Sequence, residues 1–565
     1  MKICGLKLTH DAAVALVDDG DLVFSVEIEK LANNGRYSDI SDLSIVSEIL
    51  SSFGYTIFDV DEWVIDGWDG DRGRDLELLD DGRPTVVRVG PYRETPSFPV
   101  LEPAVTGKIT IEHTALPYTG YSHAAGHLAC TYGTSPYAHR GEPSFVLVWD
   151  GGLFPRLYFV DPATGVDSVG NLFPLIGHAY AMAALHFGPY QQLPQRTKAD
   201  ELSIAGKLMA YIALGRARQP ILDCLREVFH EIFESDLPAA REYRRTVGGF
   251  GSLFELSRPP VDRMFATLRE RMPPDAFSDE DVLATVHLFL EELLVSRIED
   301  AVRRRGDGPW NLCLAGGCAL NIKWNSAMRA SSVFESVWIP PFPNDSGSAL
   351  GTAVLGMWQH MGIQPLRWDV RRGPQLVTTG DIPPDWSASP MGVAELAAVL
   401  HREGEPVVVL DGRAELGPRA LGGRSIIAPA TDPAMKDRLN DIKNREPYRP
   451  IAPICLAAEA PRIFDPGIPD PYMLFDHTVR TEWLDRVPAI IHLDGTARLQ
   501  TVDPTATPFL GELLTEYFRL TGIPVLCNTS ANFNGSGFFP DVASAMKWGK
   551  VDRIWSAGTL YRRSR

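Results

Sequence analysis

The stretch KICGLKLTHDAAVALVDDGDLVFSVE, residues 2–27, sets three apolar runs around two polar turns. The runs at 2–8, 12–17 and 22–27 have the length and the β-branched content that are typical of strands. The turn Asp18-Asp-Gly20 joins the second and third runs as a hairpin. We therefore predict a strand, a polar turn at His10-Asp11, and a hairpin.

A similar pattern occurs a second time further along the chain. The apolar run at 144–148 leads to Asp150-Gly-Gly152, and a predicted strand at 156–161 follows. Two such strand-turn-strand units predict an internally duplicated domain whose turns face one cleft, an architecture similar to that of actin and the sugar kinases. His10 and Asp11 would then lie at the cleft, although a solvent-exposed turn explains them equally well.

Two histidines, His123 and His127, stand four residues apart in the small and apolar run 121–132. On a helix they share one face and can occupy neighbouring positions around a metal ion. Asp150 and Asp345, each at the end of an apolar run, are candidates for the third and fourth ligands. Such a set suits Fe²⁺, Mn²⁺ or Zn²⁺. The alternative is a buried helix with hydrogen-bonded histidines, and aspartates that form turns or caps.

Composition limits the class of protein. The chain has 565 residues, a hydrophobic content of 45% and a formal net charge of -18, which disfavours non-specific binding to nucleic acid or to an anionic membrane. Its seven cysteines form no CxxC pair and its N-terminal residues lack the apolar core of a signal peptide. We predict a cytoplasmic protein with two domains, 1–363 and 392–565, joined by a linker at 364–391 that is rich in Pro, Gly, Asp and Trp.

The middle of the chain contains further candidates. Residues 61–103 are expected to form surface loops and 220–306 helices. Gly206-Lys207 interrupts a helical pattern, and Lys207 either reaches a phosphate or is simply exposed. Gly316 and Gly317 form a turn between a predicted strand and a predicted helix, where backbone amides close to Asn321 can bind a phosphate or a ribose. An ordinary tight turn is the alternative.

Cations cluster in the second domain although the chain is acidic. The six that flank one short Gly- and Pro-containing segment are Arg413, Arg419, Arg424, Lys443, Arg445 and Arg449. Guanidinium groups bind phosphate oxygens through paired hydrogen bonds, so these residues predict an anion site, with a salt-bridged surface as the alternative. A predicted strand that ends at Asn528-Thr-Ser530 adds amide and hydroxyl groups suited to a nucleotide or a small polar ligand, or forms a polar turn.

Eight motifs, taken in order, resemble the NodU/CmcH family of O-carbamoyltransferases, with likeness to the tobramycin and cephem carbamoyltransferases. The resemblance covers nearly the whole chain, and residues 23–30 look closest to the cephem branch, although Lys30 stands where many relatives have arginine. The motifs are His123-x-x-x-His127, Asp150-Gly-Gly152, Ala205-Gly-Lys-Leu-Met-Ala210, Leu314-Ala-Gly-Gly-Cys-Ala-Leu-Asn321, Asn344-Asp-Ser-Gly347, Gly417-Pro-Arg-Ala-Leu-Gly422, Arg445-Glu-Pro-Tyr-Arg-Pro450 and Asn528-Thr-Ser530.

The resemblance implies an α/β protein with a duplicated N-terminal domain of the actin and sugar-kinase type and a C-terminal YrdC-like domain. In the YrdC-like domain, carbamate derived from carbamoyl phosphate would attack ATP, bound with Mg²⁺, to give carbamoyladenylate. The N-terminal domain would transfer the carbamoyl group to a hydroxyl of an antibiotic or a signalling sugar, close to Fe²⁺ or another divalent transition metal. The implied ligands of that metal are His123, His127, Asp150 and Asp345.

The resemblance also implies roles for single residues. His10, with Asp11 as its partner, is our expected general base, and Lys443, Arg449, Arg498 and Ser530 match the family's anion-handling positions. The further expected contacts to substrate or nucleotide are Lys207, Gly316, Gly317, Asn321, Arg419, Arg424, Arg445 and Asn528. We expect no nucleic-acid or membrane partner, and leave the oligomeric state open, with a homodimer as one option.

Two other functions compete with this prediction. Threonylcarbamoylation of tRNA uses similar domain types, but the net charge of -18 argues against an RNA substrate. A non-enzymatic, actin-like scaffold that depends on a nucleotide would have no use for the arginine-rich loop or for the second domain.

Overall fold

A computed structural model describes residues 1–68, 73–95, 98–191, 198–248, 252–378, 380 and 382–564, with 198–200 described by their backbone. The chain divides into two compact units. Unit 1 comprises Met1–Ser25 and Tyr37–Asp369, and unit 2 comprises Val26–Arg36 and Val370–Arg565. Unit 2 is therefore assembled from two separate stretches of the chain.

The strands of unit 1 form two main sheets and a two-stranded ribbon, β5-β6. They are β1 (Lys2–Lys7), β2 (Ala13–Asp18), β3 (Asp21–Glu27), β4 (Glu62–Ile65), β5 (Arg74–Asp80), β6 (Arg83–Val89), β7 (Val105–Ile111), β8 (Thr114–Gly120), β9 (Ser144–Val148), β10 (Arg156–Asp161), β11 (Gly165–Asn171), β12 (Trp310–Ala315) and β13 (Phe334–Trp338). The strand orders are β3-β2-β1-β4-β8-β7 and β11-β10-β9-β12-β13.

The two main sheets repeat one arrangement. In the first sheet β1 pairs antiparallel with β2 and parallel with β4, which pairs parallel with β8. In the second sheet β9 pairs antiparallel with β10 and parallel with β12, which pairs parallel with β13. The predicted duplication is thus present in the strand order, and the predicted strands of the opening stretch occur within a residue or two of their expected bounds. The likeness to actin and the sugar kinases stays a prediction.

The helices of unit 1 include a closely packed pair, α2 and α11, in which small residues lie at the contact. The unit's helices are α1 (Ser44–Ser52), α2 (His123–Gly133), α3 (Pro136–Arg140), α4 (Ala179–His186), α5 (Lys198–Tyr211), α6 (Gln219–Phe229), α7 (Pro238–Val247), α8 (Leu253–Arg271), α9 (Asp279–Arg303), α10 (Ile322–Ala330) and α11 (Ser348–Met361). A Cβ atom added to Gly351 would lie 1.9 Å from the carbonyl oxygen of Gly126, so the two backbones touch there. Every residue of α2 is buried.

The prediction of surface loops at 61–103 is wrong. This region contains β4, whose residues Trp63, Val64 and Ile65 are buried between β1 and β8, and the ribbon strands β5 and β6. β4 has only four residues, so its short apolar run was hidden by the Pro-, Gly- and Asp-rich sequence around it.

The predicted helical region 220–306 is confirmed by α6 to α9. By contrast, the expected interruption at Gly206-Lys207 does not occur, because α5 continues through both residues. A Cβ atom added to Gly206 would have no described heavy atom beyond its own helix within 4 Å, so an exposed glycine is simply tolerated in this helix.

Unit 2 is a mixed α/β structure around an eight-stranded sheet of order β14-β24-β23-β15-β16-β22-β17-β21, with a small sheet β18-β19-β20. Its strands are β14 (Trp386–Pro390), β15 (Val407–Leu410), β16 (Arg424–Pro429), β17 (Ala452–Leu456), β18 (Phe464–Asp465), β19 (His477–Val479), β20 (Thr496–Ala497), β21 (Gln500–Val502), β22 (Val525–Ser530), β23 (Arg553–Ser556) and β24 (Thr559–Arg563). Its helices are α12 (Val393–Glu403), α13 (Ala434–Ile442), α14 (Ala460–Ile463), α15 (Pro508–Thr521) and α16 (Val542–Trp548).

The segment Val26–Arg36 is bound tightly within unit 2 through Lys30. The buried ammonium group of Lys30 donates to the carbonyls of Glu415 at 2.6 Å and Gly417 at 2.8 Å, and pairs with Glu27 at 2.7 Å. Glu27 in turn accepts from the amide of Gly417 at 2.8 Å. Lys30 therefore holds the start of the arginine-rich loop, which gives a structural role to a position whose role the sequence left open.

The structure also bears on two compositional predictions. None of the helices in the described part of the chain combines the length and the apolar character that a bilayer span requires. All seven cysteines are free thiols, as their spacing predicted. Burial raises the pKa of Cys4, Cys130 and Cys527, so these thiols remain protonated and behave as core residues.

Candidate active sites

Four side chains converge in unit 1: His123, His127, Asp150 and Asp345. One ligand atom from each lies within 4.8 Å of all the others, and all four residues are buried. The Nε2 atoms of His123 and His127 are 3.1 Å apart, and Asp345 Oδ1 lies 3.3 Å from the first and 3.5 Å from the second. The structure thus brings together the four residues that the sequence singled out as metal ligands.

Strand direction explains why the aspartates meet. β9 and β13 run parallel to β12 on either side of it, so the residues that follow them emerge at the same edge of the sheet. Asp150 follows β9, and its two carboxylate oxygens accept from the Gly317 amide at 2.7 Å and from the Tyr92 hydroxyl. The backbone amide of Gly317, which we expected to bind a nucleotide, thus donates to Asp150.

A second layer of charged residues lies behind the histidines. Asp66, directly after β4, places Oδ2 2.7 Å from His123 Nδ1, which directs Nε2 of that ring towards the other ligands. Lys7 Nζ lies 3.1 Å from both Asp66 Oδ2 and Asp345 Oδ2. Asp66, Tyr92 and Lys7 were missed from the sequence. One signal was available, because Lys7 stands between Leu6 and Leu8 in an apolar run.

The electrostatics of this group favour a bound cation. Burial opposes the charging of His123, yet the carboxylates of Asp66 and Asp345 raise its pKa well above the usual range. Burial also disfavours the ionised form of Asp150, but hydrogen bonding and attraction from His123 and His127 lower its pKa to about 2. The ionised carboxylates attract positive charge to this position, and a divalent ion of the Fe²⁺, Mn²⁺ or Zn²⁺ type fits the donor set.

His10 lies beside the ligand group. Its Nε2 is 3.4 Å from Asp345 Oδ2, and its ring makes an edge contact with Trp68 at a centroid distance of 4.7 Å. The carboxylate found against His10 is therefore that of Asp345. Asp11 follows in the left-handed region at φ 54°, and its expected pairing with His10 stays a prediction.

Three other predicted contacts have structural partners. Gly316 has φ 86° and its amide donates to the Pro343 carbonyl at 2.8 Å. Asn321 caps α10 by accepting from the amides of Lys323 and Trp324. A 3-10 turn, Gly317–Leu320, precedes this cap. The ammonium group of Lys207 lies 6.0 Å from the centroid of the Tyr190 ring. Their binding of a nucleotide stays a prediction.

Unit 2 contains the second group, which we call the cation cluster: Arg36, Arg419, Lys443, Arg445, Arg449 and Arg498. Lys443 donates to the carbonyls of Ser530 at 2.8 Å and Asn532 at 3.0 Å, at the end of β22. Arg445 donates to the hydroxyl of Thr529 at 3.2 Å. The predicted cations and the predicted polar strand end are therefore in contact.

Members of the cation cluster repel one another. Burial, then Arg445 and Arg36, lower the pKa of Lys443 well below its usual range. Burial together with Arg449, Arg36 and Arg419 lowers the pKa of Arg445 to about 9. Burial and the charges of Arg419, Arg445 and Arg449 lower the pKa of Arg498, which Asp470 offsets only in part. Such an arrangement costs stability and suits a ligand with several negative charges.

The Arg36 side chain was not predicted as part of this group. Its backbone amide donates to the Gly535 carbonyl at 2.9 Å, and Gly35 bridges Ser536. The loop that receives it follows Asn532, the partner of Lys443. No local pattern reveals a contact between residues about five hundred positions apart, so sequence reasoning had no signal for Arg36.

The Arg424 and Asn528 side chains both donate to backbone carbonyls, and their expected contact with a substrate or nucleotide stays a prediction. The buried guanidinium of Arg424 donates to the carbonyls of Asp411 at 3.0 Å, Gly412 at 3.0 Å and Gly423 at 2.8 Å. Asn528 donates to the Ala420 carbonyl at 3.0 Å and to Gln500 at 2.8 Å. These hydrogen bonds fix the backbone of the arginine-rich loop.

The chain matches two family models and several full-length proteins. Residues 2–354 match the family model described as carbamoyltransferase N-terminus, and residues 397–555 match the one described as carbamoyltransferase C-terminus. Nodulation protein U of Rhizobium tropici is 49% identical, over 100% of this chain and 96% of that protein. The 3'-hydroxymethylcephem-O-carbamoyltransferase of Streptomyces clavuligerus is 33% identical, over 100% of this chain and 99% of that enzyme.

These identities correct one detail of the resemblance. Over the whole chain the nodulation protein of Rhizobium tropici is more similar than the cephem enzyme, contrary to what residues 23–30 suggested. Family models that match both parts of the chain and relatives named as carbamoyltransferases agree with the family that the motifs indicated. The chain therefore belongs to the carbamoyltransferase family and is an enzyme that transfers a carbamoyl group.

Proposed function

We propose that the enzyme is an ATP-dependent O-carbamoyltransferase that works in two half-reactions. In the first, carbamoyl phosphate is hydrolysed to carbamate and phosphate, and the carbamate oxygen attacks the α-phosphorus of ATP, releasing pyrophosphate. In the second, a hydroxyl oxygen of a small molecule attacks the carbamoyl carbon of carbamoyladenylate, and AMP leaves. The net products are the carbamate ester, AMP, phosphate and pyrophosphate.

The observation that carries the first half-reaction is the self-repelling cation cluster. Burial and neighbouring cations lower the pKa of Lys443, Arg445 and Arg498, in a chain whose formal net charge is -18. Carbamoyl phosphate and ATP, bound with Mg²⁺, supply the several phosphate groups that such a cluster can neutralise. Arg449 and Arg498 would bind phosphate oxygens, and Lys443 would hold the end of β22 beside them.

The second half-reaction would occur at the metal ligands of unit 1. His123, His127, Asp150 and Asp345 would hold a divalent ion, which when bound supplies a Lewis acid towards the carbamoyl carbonyl. His10 accepts the proton of the acceptor hydroxyl on its imidazole, and Asp345, 3.4 Å from Nε2, stabilises the imidazolium that results. The relative named for a hydroxymethyl group supports a small hydroxyl acceptor for this enzyme.

The first half-reaction can be tested without knowledge of the acceptor. The purified protein is mixed with Mg²⁺, carbamoyl phosphate and ATP labelled at the α-phosphate, and hydroxylamine is added to trap the adenylate. We expect pyrophosphate, labelled AMP and hydroxyurea, with all three lost when carbamoyl phosphate is left out. Pyrophosphate release that ignores carbamoyl phosphate would contradict the proposal.

The second half-reaction requires preformed carbamoyladenylate and a panel of hydroxyl-bearing small molecules. We expect one class of acceptor to gain the mass of a carbamoyl group, with AMP formed in equal amount. Transfer to tRNA in place of the small molecules would favour the threonylcarbamoyl alternative and contradict our assignment of the acceptor.

A further inference from the structure

Lys7 lies beside the predicted metal ligands, and the proposed reaction leaves it without a role. It ends β1, and only 1% of its side chain is exposed. Its ammonium group lies 3.1 Å from Asp66 Oδ2, 3.1 Å from Asp345 Oδ2 and 4.7 Å from the centroid of the Trp68 ring. Burying an ammonium group is costly unless opposite charges surround it, so its position in an apolar strand calls for a specific reason.

The two oxygens of Asp345 face different partners. Oδ1 lies 3.3 Å from His123 Nε2 and 3.5 Å from His127 Nε2, on the side where the ligand atoms converge. Oδ2 lies 3.1 Å from Lys7 and 3.4 Å from His10 Nε2. Lys7 thus holds the carboxylate by one oxygen and leaves the other directed towards the ligand group.

A charge balance of the buried residues points to a particular ionic charge. Three carboxylates, those of Asp66, Asp150 and Asp345, lie around the site, and Lys7 supplies one positive charge. Histidine binds a metal as the neutral ring. Two negative charges therefore remain, which one divalent ion neutralises and a trivalent ion exceeds. Uncompensated charge in a buried site is unfavourable.

We infer that Lys7 is a positioning residue that makes the metal centre selective for a divalent over a trivalent ion. Loss of the Lys7 charge would leave three negative charges, which a trivalent ion neutralises. Loss of the Asp66 charge would have the opposite effect, since one negative charge would then remain where the wild type has two. This inference rests on the metal assignment in the proposed function.

The test compares three variants that separate charge from shape: Lys7→Met, Asp66→Asn and the double variant. Each full-length protein is loaded with Fe²⁺ without oxygen, its bound iron is counted, and its iron reduction potential is measured by electron paramagnetic resonance. Lys7→Met should shift the balance towards Fe³⁺ at least about tenfold, or about 59 mV lower in potential. Asp66→Asn should shift it the other way, and the double variant should return to within about threefold of the wild type.

The Co²⁺ absorption spectrum of each variant reports whether the ligand geometry persists. A loaded Lys7→Met protein with an unchanged potential would overturn the inference, and so would a double variant that keeps the shift of either single change. If Lys7→Met does not fold, the opposite shift in Asp66→Asn and its reversal in the double variant decide the matter. A wild-type protein that binds neither Fe²⁺ nor Co²⁺ removes the metal assignment and this inference with it, but leaves the carbamoyl-phosphate assay of unit 2 unaffected.

Discussion

The metal ligands of unit 1 and the cation cluster of unit 2 both place several charged groups in protected positions, but their neighbours differ. Lys7 lies 3.1 Å from the carboxylates of Asp66 and Asp345. The same Asp66 Oδ2 atom lies 2.7 Å from His123 Nδ1. In the cation cluster, burial lowers the pKa of Arg498, and so do the like charges of Arg419, Arg445 and Arg449. In the first group, opposite charges lie next to one another. In the cation cluster, the neighbouring charges have the same sign and repel one another.

This difference indicates how each group is adapted to its ligand. A complementary network holds its ligand atoms in place before a small ion arrives, because the outer residues orient the inner ones. A cluster of like charges is stabilised only when a polyanion binds, so the ligand also reduces the repulsion between the cations. The following predictions test whether this contrast is real, from the largest effect to the smallest.

Removal of one inner ligand should break the first group. We expect His127→Ala to lower divalent metal affinity and carbamoyl transfer by more than about 100-fold, since loss of an outer partner alone costs about 10- to 100-fold. Metal content by mass spectrometry and turnover of preformed carbamoyladenylate measure the two effects.

The same variant should leave the second group intact. Carbamoyl-phosphate-dependent pyrophosphate release should persist in His127→Ala, because the cation cluster that we assign to this step lies in unit 2. Full transfer by a metal-free protein would contradict the role of the ligands, and loss of pyrophosphate release would contradict the division of labour.

Removal of one cation should break the second group. We expect Arg449→Ala to lower carbamoyl-phosphate-dependent pyrophosphate release by about 10- to 100-fold, the cost of losing a charge-assisted hydrogen bond to phosphate. The matched control is Arg519→Ala, because the Arg519 side chain is 67% exposed and pairs with Glu516 at 2.9 Å. That control should keep full activity.

Preformed carbamoyladenylate separates the two steps in Arg449→Ala. We expect it to restore product, because unit 1, to which we assign the transfer step, is unchanged. A variant that makes the adenylate normally but cannot use it would reverse our assignment of the two chemistries to the two units.

The pH dependence should sharpen the contrast. Burial and neighbouring cations lower the pKa of Arg445 to about 9 and that of Lys443 well below its usual range. Since the anion binds the protonated forms, pyrophosphate affinity should fall by up to about tenfold for each titrating group as pH rises one unit past its pKa. Calorimetric titration from neutral to alkaline pH measures this, and an affinity that stays constant would contradict it.

The smallest effect is expected for the cation that the sequence did not reveal. Arg36 has a side chain that is 37% exposed, so its contribution is screened by solvent. We expect Arg36→Ala to raise the KM for carbamoyl phosphate by about two- to fivefold with little change in kcat. Arg402→Ala serves as the control, because the Arg402 side chain is 69% exposed, and it should leave KM unchanged.

The convergence of His123, His127, Asp150 and Asp345 could be predicted from the sequence because each stands after a recognisable strand or on a helix of small residues. Asp66 and Tyr92 could not, since they lie in a region whose composition resembles loops and whose strand β4 has four residues. The duplicated strand pattern was visible because its turns are polar and its strands apolar. The contacts of Arg36, Arg424 and Asn528 depend on which distant segments meet, and no local pattern encodes that.

The Lys30 anchor limits how this enzyme can be divided. The segment Val26–Arg36 leaves the ribosome early, yet its partners at 415–417 and 535–537 are made near the end of synthesis, so unit 2 finishes folding only then. A fragment that begins after residue 369 would lack Lys30 and Arg36. The C-terminal part is therefore not a portable module, and a functional exchange between relatives would have to carry this short N-terminal segment with it.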